Sequence, residues 1–107
     1  TTKLFKDFSL LVEQNFKKLH SVTDYANRLG VSPKSLTKSF HKTGTKTPSD
    51  FIKNRIITEA KRQLLYSTQA VKFIAFDLGF NDPAYFSRFF TKATGQSPKQ
   101  FQKENRA

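Results

Sequence analysis

An all-α fold is what this sequence predicts, and three features carry the prediction. Apolar residues recur at the i, i+3, i+4, i+7 spacing that gathers them on one face of a helix, several times along the 107 residues. Most of these stripes are punctuated as helices are, by Ser, Thr or Asp before them, often with proline next, and by glycine after them. No run of useful length alternates with period two, so strands and hairpins are disfavoured throughout.

In chain order, Leu4, Phe8, Leu11, Val12, Phe16 and Leu19 share one face, which predicts a first amphipathic helix over about residues 4 to 19. Lys3, Lys6, Lys17 and Lys18 lie off that stripe. Ser21 is placed to cap a second helix, with Asp24 as its capping-box partner. Val22, Tyr25, Ala26 and Leu29 carry the stripe until Gly30 ends it. Ser32 and Pro33 restart the chain as cap and first helical residue, and Leu36 with Phe40 forms the inward stripe of a third helix. Thr47, Pro48 and Asp50 open a fourth, whose apolar face runs from Phe51 and Ile52 through Ile56, Ala60, Leu64 and Leu65 to about residue 66. Roughly 19 residues at about 1.5 Å each make a rod about 28 Å long.

After a connector at 67–70, Val71, Ile74, Ala75 and Leu78 repeat the stripe, and Gly79 stops it. Asp82 and Pro83 cap and open the next helix, with Phe86 and Phe90 inward. Ser97, Pro98 and Phe101 start a short last helix, and residues 104 to 107 are expected to fray. Two short helices joined by a tight glycine turn make a helix-turn-helix, whose second helix can enter a DNA major groove. Here the unit is written twice. Val22, Tyr25, Ala26, Leu29 and Gly30 match residues 49 later, and Ser32, Leu36, Phe40, Pro48 and Phe51 match residues 50 later. The one-residue shift falls in the turn, where an insertion is best tolerated. Duplicated units point to duplicated roles; the alternative is an economical way of building a helical core.

Ile74-Ala75, Leu78-Gly79-Phe80, Asp82, Tyr85-Phe86-Ser87-Arg88, Phe90, Lys92, Gly95 and Ser97-Pro98 form a motif across some 28 positions, 74 to 101. On these residues the chain resembles the C-terminal DNA-binding domain of the AraC family of bacterial transcription regulators. The family pattern usually closes with an aromatic and Arg, whereas Gln102 follows Phe101 here. The first unit matches less closely: Thr45 stands where Gly95 does, with Gly44 one place earlier, so the turn after the third helix is expected to close differently. Ala70 occupies the place where the family often carries a serine or proline cap, and Thr68 or Gln69 is expected to cap instead.

The resemblance implies seven helices, with the long one joining two helix-turn-helix subdomains. The expected division is 1–66 and 67–107, within one compact domain. It further implies sequence-specific binding of double-stranded DNA, with the third and sixth helices in successive major grooves, about 34 Å apart on one side of the duplex. A cytoplasmic location, a separate effector or dimerisation domain in the full-length protein, and contact with RNA polymerase belong to the same expectation.

Composition fits this reading. Nineteen Lys or Arg against 8 Asp or Glu give a formal charge of +11, which attracts polyanions. Hydrophobic content is only 36%, but twelve phenylalanines supply large core area per residue. There is no cysteine, no run near the roughly 18 apolar residues of a membrane span, and no visible signal peptide. The sequence carries no initiator Met, which leaves open whether the chain is a fragment of something longer. An enzyme reading is poor: His20 and His41 lack metal-ligand spacing, and neither a glycine-rich phosphate loop nor a nucleophile elbow occurs. No cofactor or metal is expected. The alternatives are a protein-interaction module contacting RNA polymerase through the first helix and a basic membrane-surface binder, which two proline-capped repeats argue against.

Candidate contacts lie opposite the Phe stripes. For bases these are Lys34, Thr37 and Lys38 on the third helix, with Ser35 beside them and His41 further along, and Ala84, Tyr85, Ser87 and Arg88 on the sixth. Arg88 is the leading candidate because its planar fork can grip guanine at two points; the alternatives for it are a phosphate clamp and an ion pair. Tyr85 can stack on sugar or pack within its own unit. For phosphates the candidates are Lys42, Lys46, Thr47, Lys92, Ser97 and Lys99, several of them at helix starts where free N–H groups and the dipole favour an anion. Arg55, Lys61 and Arg62 are expected to be solvated.

Overall fold

The computed structural model describes residues 2–43 and 47–106, without the side chains of Thr2, Lys42 and Thr43. It contains α1 (Thr2–Asn15), α2 (Val22–Leu29), α3 (Pro33–Thr43), α4 (Pro48–Tyr66), α5 (Val71–Asp77), α6 (Pro83–Thr94) and α7 (Pro98–Asn105). Among the described residues there is no strand. The all-α prediction therefore holds. Two compact units form, Thr1–Arg55 and Ile56–Ala107, with α4 passing from one to the other. Gly44 and Thr45, and with them the expectation for the turn after α3, lie outside the described residues.

In the first unit, aromatic rings do most of the core filling. Phe8 is fully buried and meets Phe40 at 5.4 Å, Phe51 at 5.5 Å and Tyr25 at 5.6 Å between centroids. Phe5 closes on Phe40 at 4.9 Å. Tilted and edge-on pairs of this kind add about 0.5–1.5 kcal/mol beyond area burial. Such rings let a chain with few hydrophobic residues build a core. Tyr25 donates its hydroxyl to the Leu19 carbonyl at 2.8 Å. Burial pushes its phenol up to about 12, with Arg28 opposing and Asp24 adding to the shift.

The first helix is shorter than its stripe. Regular α-helix ends at Asn15, and the N–H groups of Lys18 and Leu19 both close on the Asn15 carbonyl at 2.8 Å. The Asn15 amide meanwhile turns back to Leu11 O at 2.9 Å. Phe16 remains buried past the end of the helix. The stripe records burial, and burial outlasts the regular backbone by a turn. Arg55 also departs from expectation. It holds Glu13 through two contacts of 2.8 and 2.9 Å, and its guanidinium lies 4.1 Å from the Phe16 ring centroid. A carboxylate and a ring within reach outcompete water for it.

In the second unit, Ile56, Ala60 and Leu64 of α4 join Ile74, Leu78, Phe86 and Phe90 in the buried core. Phe80 follows the turn and meets Phe86 at 5.3 Å and Phe89 at 5.2 Å, while Phe90 meets Phe101 at 5.6 Å. The turn closes as the glycine predicts. Gly79 has φ +92°, and the Phe80 N–H reaches Ala75 O at 3.0 Å.

Two expectations fail here. Neither Thr68 nor Gln69 caps α5: Ala70 takes the extended N-cap conformation and has no side-chain acceptor, while Ser67 Oγ accepts the Gln69 N–H within the connector. The C-terminal end does not fray at residue 104. Helix α7 runs to Asn105, Glu104 accepts from the Gln96 amide at 2.6 Å, and Arg106 donates to the carbonyls of Leu65 and Ser67. Leu65 O lies in the last turn of α4 and Ser67 O just beyond it, where the helix supplies no further N–H donors, so the cation has a strong reason to dock there. Ala107 lies outside the described residues. Arg62 is solvent-exposed as expected, and it also pairs with Glu59 at 2.5 and 3.1 Å, which keeps its guanidinium still more firmly protonated. Gln63 completes that cluster by donating to Glu59 and to Asp77. Lys61 has its ammonium 5.9 Å from the Phe101 ring centroid.

Candidate nucleic-acid interface

Each helix-turn-helix buries one face of its second helix and leaves the other outward. On α3, Leu36 and Phe40 are buried, which turns Lys34, Ser35, Lys38 and His41 to solvent and leaves Thr37 half-buried. Lys34 and Lys38 stand one turn apart, where i, i+4 side chains are neighbours. The hydroxyl groups of this helix are turned inward on the chain itself. Thr37 Oγ1 donates to Pro33 O at 3.0 Å, Ser32 Oγ to Ser35 Oγ at 3.0 Å, and the Ser35 N–H to Ser32 Oγ at 3.1 Å, which caps the helix. What α3 offers outward is chiefly ammonium charge on flexible stems.

The outward face of α6 is different. Asp82 caps it by accepting the Ala84 N–H at 2.9 Å, and Gly95 ends it at φ +83°. Phe86 and Phe90 face inward with no exposed surface. Ala84, Tyr85, Arg88 and Lys92 face solvent, and Ser87 is half-buried. Tyr85 is 57% exposed, and its ring has two neighbours in its own unit. Phe80 lies at 6.0 Å between centroids, and the Arg88 guanidinium lies 5.9 Å from the Tyr85 centroid. Tyr85 thus packs within its own unit. Thr91, which the sequence did not single out, shares this face and donates its hydroxyl to Ser87 O at 2.7 Å. Its spacing of three from Arg88 was the available signal.

The helix starts are ordered by their caps. Thr47 Oγ1 accepts the Asp50 N–H at 3.1 Å, and Ser97 Oγ accepts the Gln100 N–H at 3.1 Å. Lys99 is exposed in the first turn of α7. Lys46 and the Lys42 side chain lie outside the described residues. Two rings on α5 were not anticipated: Phe73 and Phe76 are half exposed and 6.5 Å apart, with the Lys72 ammonium 5.1 Å from Phe73. Among the described residues no three His, Cys, Asp or Glu gather as a metal site, and no helix is long and apolar enough to cross a membrane.

These outward faces suit a polyanion. Lysines neutralise phosphates, an arginine fork matches guanine O6 and N7, and a small residue such as Ala84 admits close approach to a base edge. Comparison with known proteins agrees with the fold. The C-terminal domain of AraT, a response regulator from Geobacillus stearothermophilus, superposes with a TM-score of 0.89 at 23% identity, covering 97% of this chain and 87% of that one. The DNA-binding domain of AdpA, a global transcriptional factor solved in complex with a target DNA, superposes with a TM-score of 0.79 at 21% identity over 94% of this chain and 90% of that one. An uncharacterised HTH-type transcriptional regulator in the cgkA 5' region of Pseudoalteromonas carrageenovora is 34% identical over 94 residues, 88% of this chain. The chain spans about half the length of that relative, 55%. The helix-turn-helix domain family matches residues 25–104, from within α2 to within α7, and so takes in both units. The chain therefore belongs to the helix-turn-helix domain family, in its AraC-type branch.

Proposed function

We propose that this chain is the DNA-binding part of a bacterial transcription regulator and that it seats α3 and α6 in successive major grooves of one duplex. One observation carries the reading: two helices of matching register bury their Phe stripes completely and turn a cationic, solvent-exposed face outward. A net charge of +11 supplies the long-range attraction, and phosphate neutralisation supplies most of the affinity. A few side chains on the reading faces supply sequence choice. Lys34, Lys38, Ala84, Tyr85 and Arg88 are the residues proposed to face the groove, with Thr37 and Ser87 at their edge. Lys42, Lys46, Thr47, Lys92, Ser97 and Lys99 are the proposed phosphate contacts. The AdpA domain, which has the same fold, was solved on its target DNA, and this supports duplex DNA as the partner. The greater length of the curated relative leaves room for a separate effector or dimerisation domain in the whole protein.

The test is direct binding of the chain to duplexes recovered from a random oligonucleotide pool. A set of related sequences should emerge, bound more tightly than scrambled duplexes of the same length. Equal affinity for duplex DNA and for an unrelated polyanion such as heparin, with no sequence enriched, would overturn the proposal.

A further inference from the structure

The two reading helices are built on one register but not with one chemistry. Residues fifty apart occupy matching places, so Lys34 answers to Ala84, Ser35 to Tyr85, Thr37 to Ser87 and Lys38 to Arg88. In the second unit, the Tyr85 ring rests near Phe80 and bounds the Arg88 guanidinium at 5.9 Å. A planar fork held against a ring loses less freedom when it grips a base edge than one that sweeps through solvent. In the first unit the place of the ring is taken by Ser35, whose hydroxyl is bonded to Ser32, and the place of the fork by Lys38. An ammonium on a flexible stem is a point charge that accepts any geometry, which suits phosphates better than a particular base. Thr37, half-buried beside them, spends its hydroxyl proton on Pro33 O.

We infer that sequence choice is concentrated in the second unit, with Tyr85 as the positioning residue for Arg88, and that the first unit grips the duplex largely without regard to sequence. The inference rests on the proposed docking of both helices on DNA. It predicts a lopsided operator, with one short block of fixed bases beside a nearly free turn of the duplex.

The experiment is selection from a random pool with the unaltered chain, followed by single-base competition against variants whose helicity and melting are checked first. Arg88→Ala should lose roughly 5- to 150-fold on the selected site and flatten preference at one base position. Tyr85→Leu should relax the same position, add little when combined with Arg88→Ala, and be rescued by Tyr85→Phe, which keeps the ring. Lys34→Ala and Lys38→Ala should weaken all duplexes alike, lower the salt slope by about one each, and leave the fixed block unchanged. Two blocks of equal strength, with Lys38→Ala erasing one of them, would overturn the inference while leaving DNA binding intact. Relaxation by Tyr85→Leu at a base position distinct from that of Arg88→Ala would make Tyr85 a reader and end its positioning role. No preference for any duplex would remove the docking reading, and this inference with it.

Discussion

Arg55 and Glu13 face each other through two parallel contacts, Nε to Oε1 at 2.8 Å and Nη2 to Oε2 at 2.9 Å. The same guanidinium covers the Phe16 ring, just beyond the last regular turn of α1. One cation thus ties the first half of α4 to the end of α1 by charge and by contact with a ring. Arg55→Ala should cost about 1–2 kcal/mol, the sum of a modest ion pair and a cation–π contact. Arg55→Lys should recover less than half of it, because an ammonium cannot make both contacts at once. Urea denaturation of the single and double variants with Glu13→Gln gives the coupling. A value below about 0.2 kcal/mol would mean the pair contributes nothing.

Tyr25 sets a pH limit. Burial raises its phenol to about 12, above the ordinary value near 10 that it regains on unfolding. Stability from the protonated, buried phenol is therefore complete below about pH 10. It falls as pH rises from about 10 to about 12, because only the unfolded chain releases the proton in that window. Melting midpoints of the native chain should drop more steeply across this window than those of Tyr25→Phe. Below pH 9 the variant should be the weaker by about 1 kcal/mol, for the lost bond to Leu19 O. Parallel curves would contradict the assignment.

Most of this architecture is legible in the residues because stripe, cap and glycine agree at the same places. Ser21, Ser32, Thr47, Asp82 and Ser97 all cap helices as their spacing predicts. What could not be read are partners distant in sequence. Arg106 reaches Leu65 O from 41 positions away, and Arg55 reaches Glu13 from 42. No local pattern encodes such a meeting, so residues 104–106 look loose and Arg55 looks solvated until the fold is known. The outward faces of α3 and α6 follow from the inward Phe stripes by elimination. The approach of Tyr85 to both Phe80 and Arg88 does not, because it depends on how the turn after α5 brings Phe80 back.

Gly95 ends α6 at φ +83°, and a Cβ built there meets nothing within 4 Å. Gly95→Ala should therefore destabilise through backbone strain alone, by about 1–2 kcal/mol. Gly95→Asn should cost less, since asparagine tolerates the left-handed region better. Thermal or urea melts of both variants decide it. Equal losses for Ala and Asn would point to packing, for which the surrounding space gives no cause.

Asp82 accepts the Ala84 N–H at the start of the helix that carries Arg88. Asp82→Ala should cost about 1 kcal/mol, and Asp82→Ser should restore most of that. Amide exchange should quicken in the first turn of α6 and leave α3 unaffected. If protection in that turn is unchanged, the cap is idle.

Salt is the broadest check on the proposed interface, because neutralised phosphates release their counterions in proportion to their number. If about six phosphates are engaged, log affinity should fall against log salt with a slope near −5. Lys99 stands exposed beside the capped start of α7, where the free N–H groups and the helix dipole add to its charge. Lys99→Ala should then weaken every duplex by the same factor and make the slope shallower by about one. A base-reading residue behaves otherwise, since its loss changes the ranking of sequences. A wild-type slope near zero would remove the phosphate contacts from the account, and a change of ranking in Lys99→Ala would move that residue from the backbone to the bases.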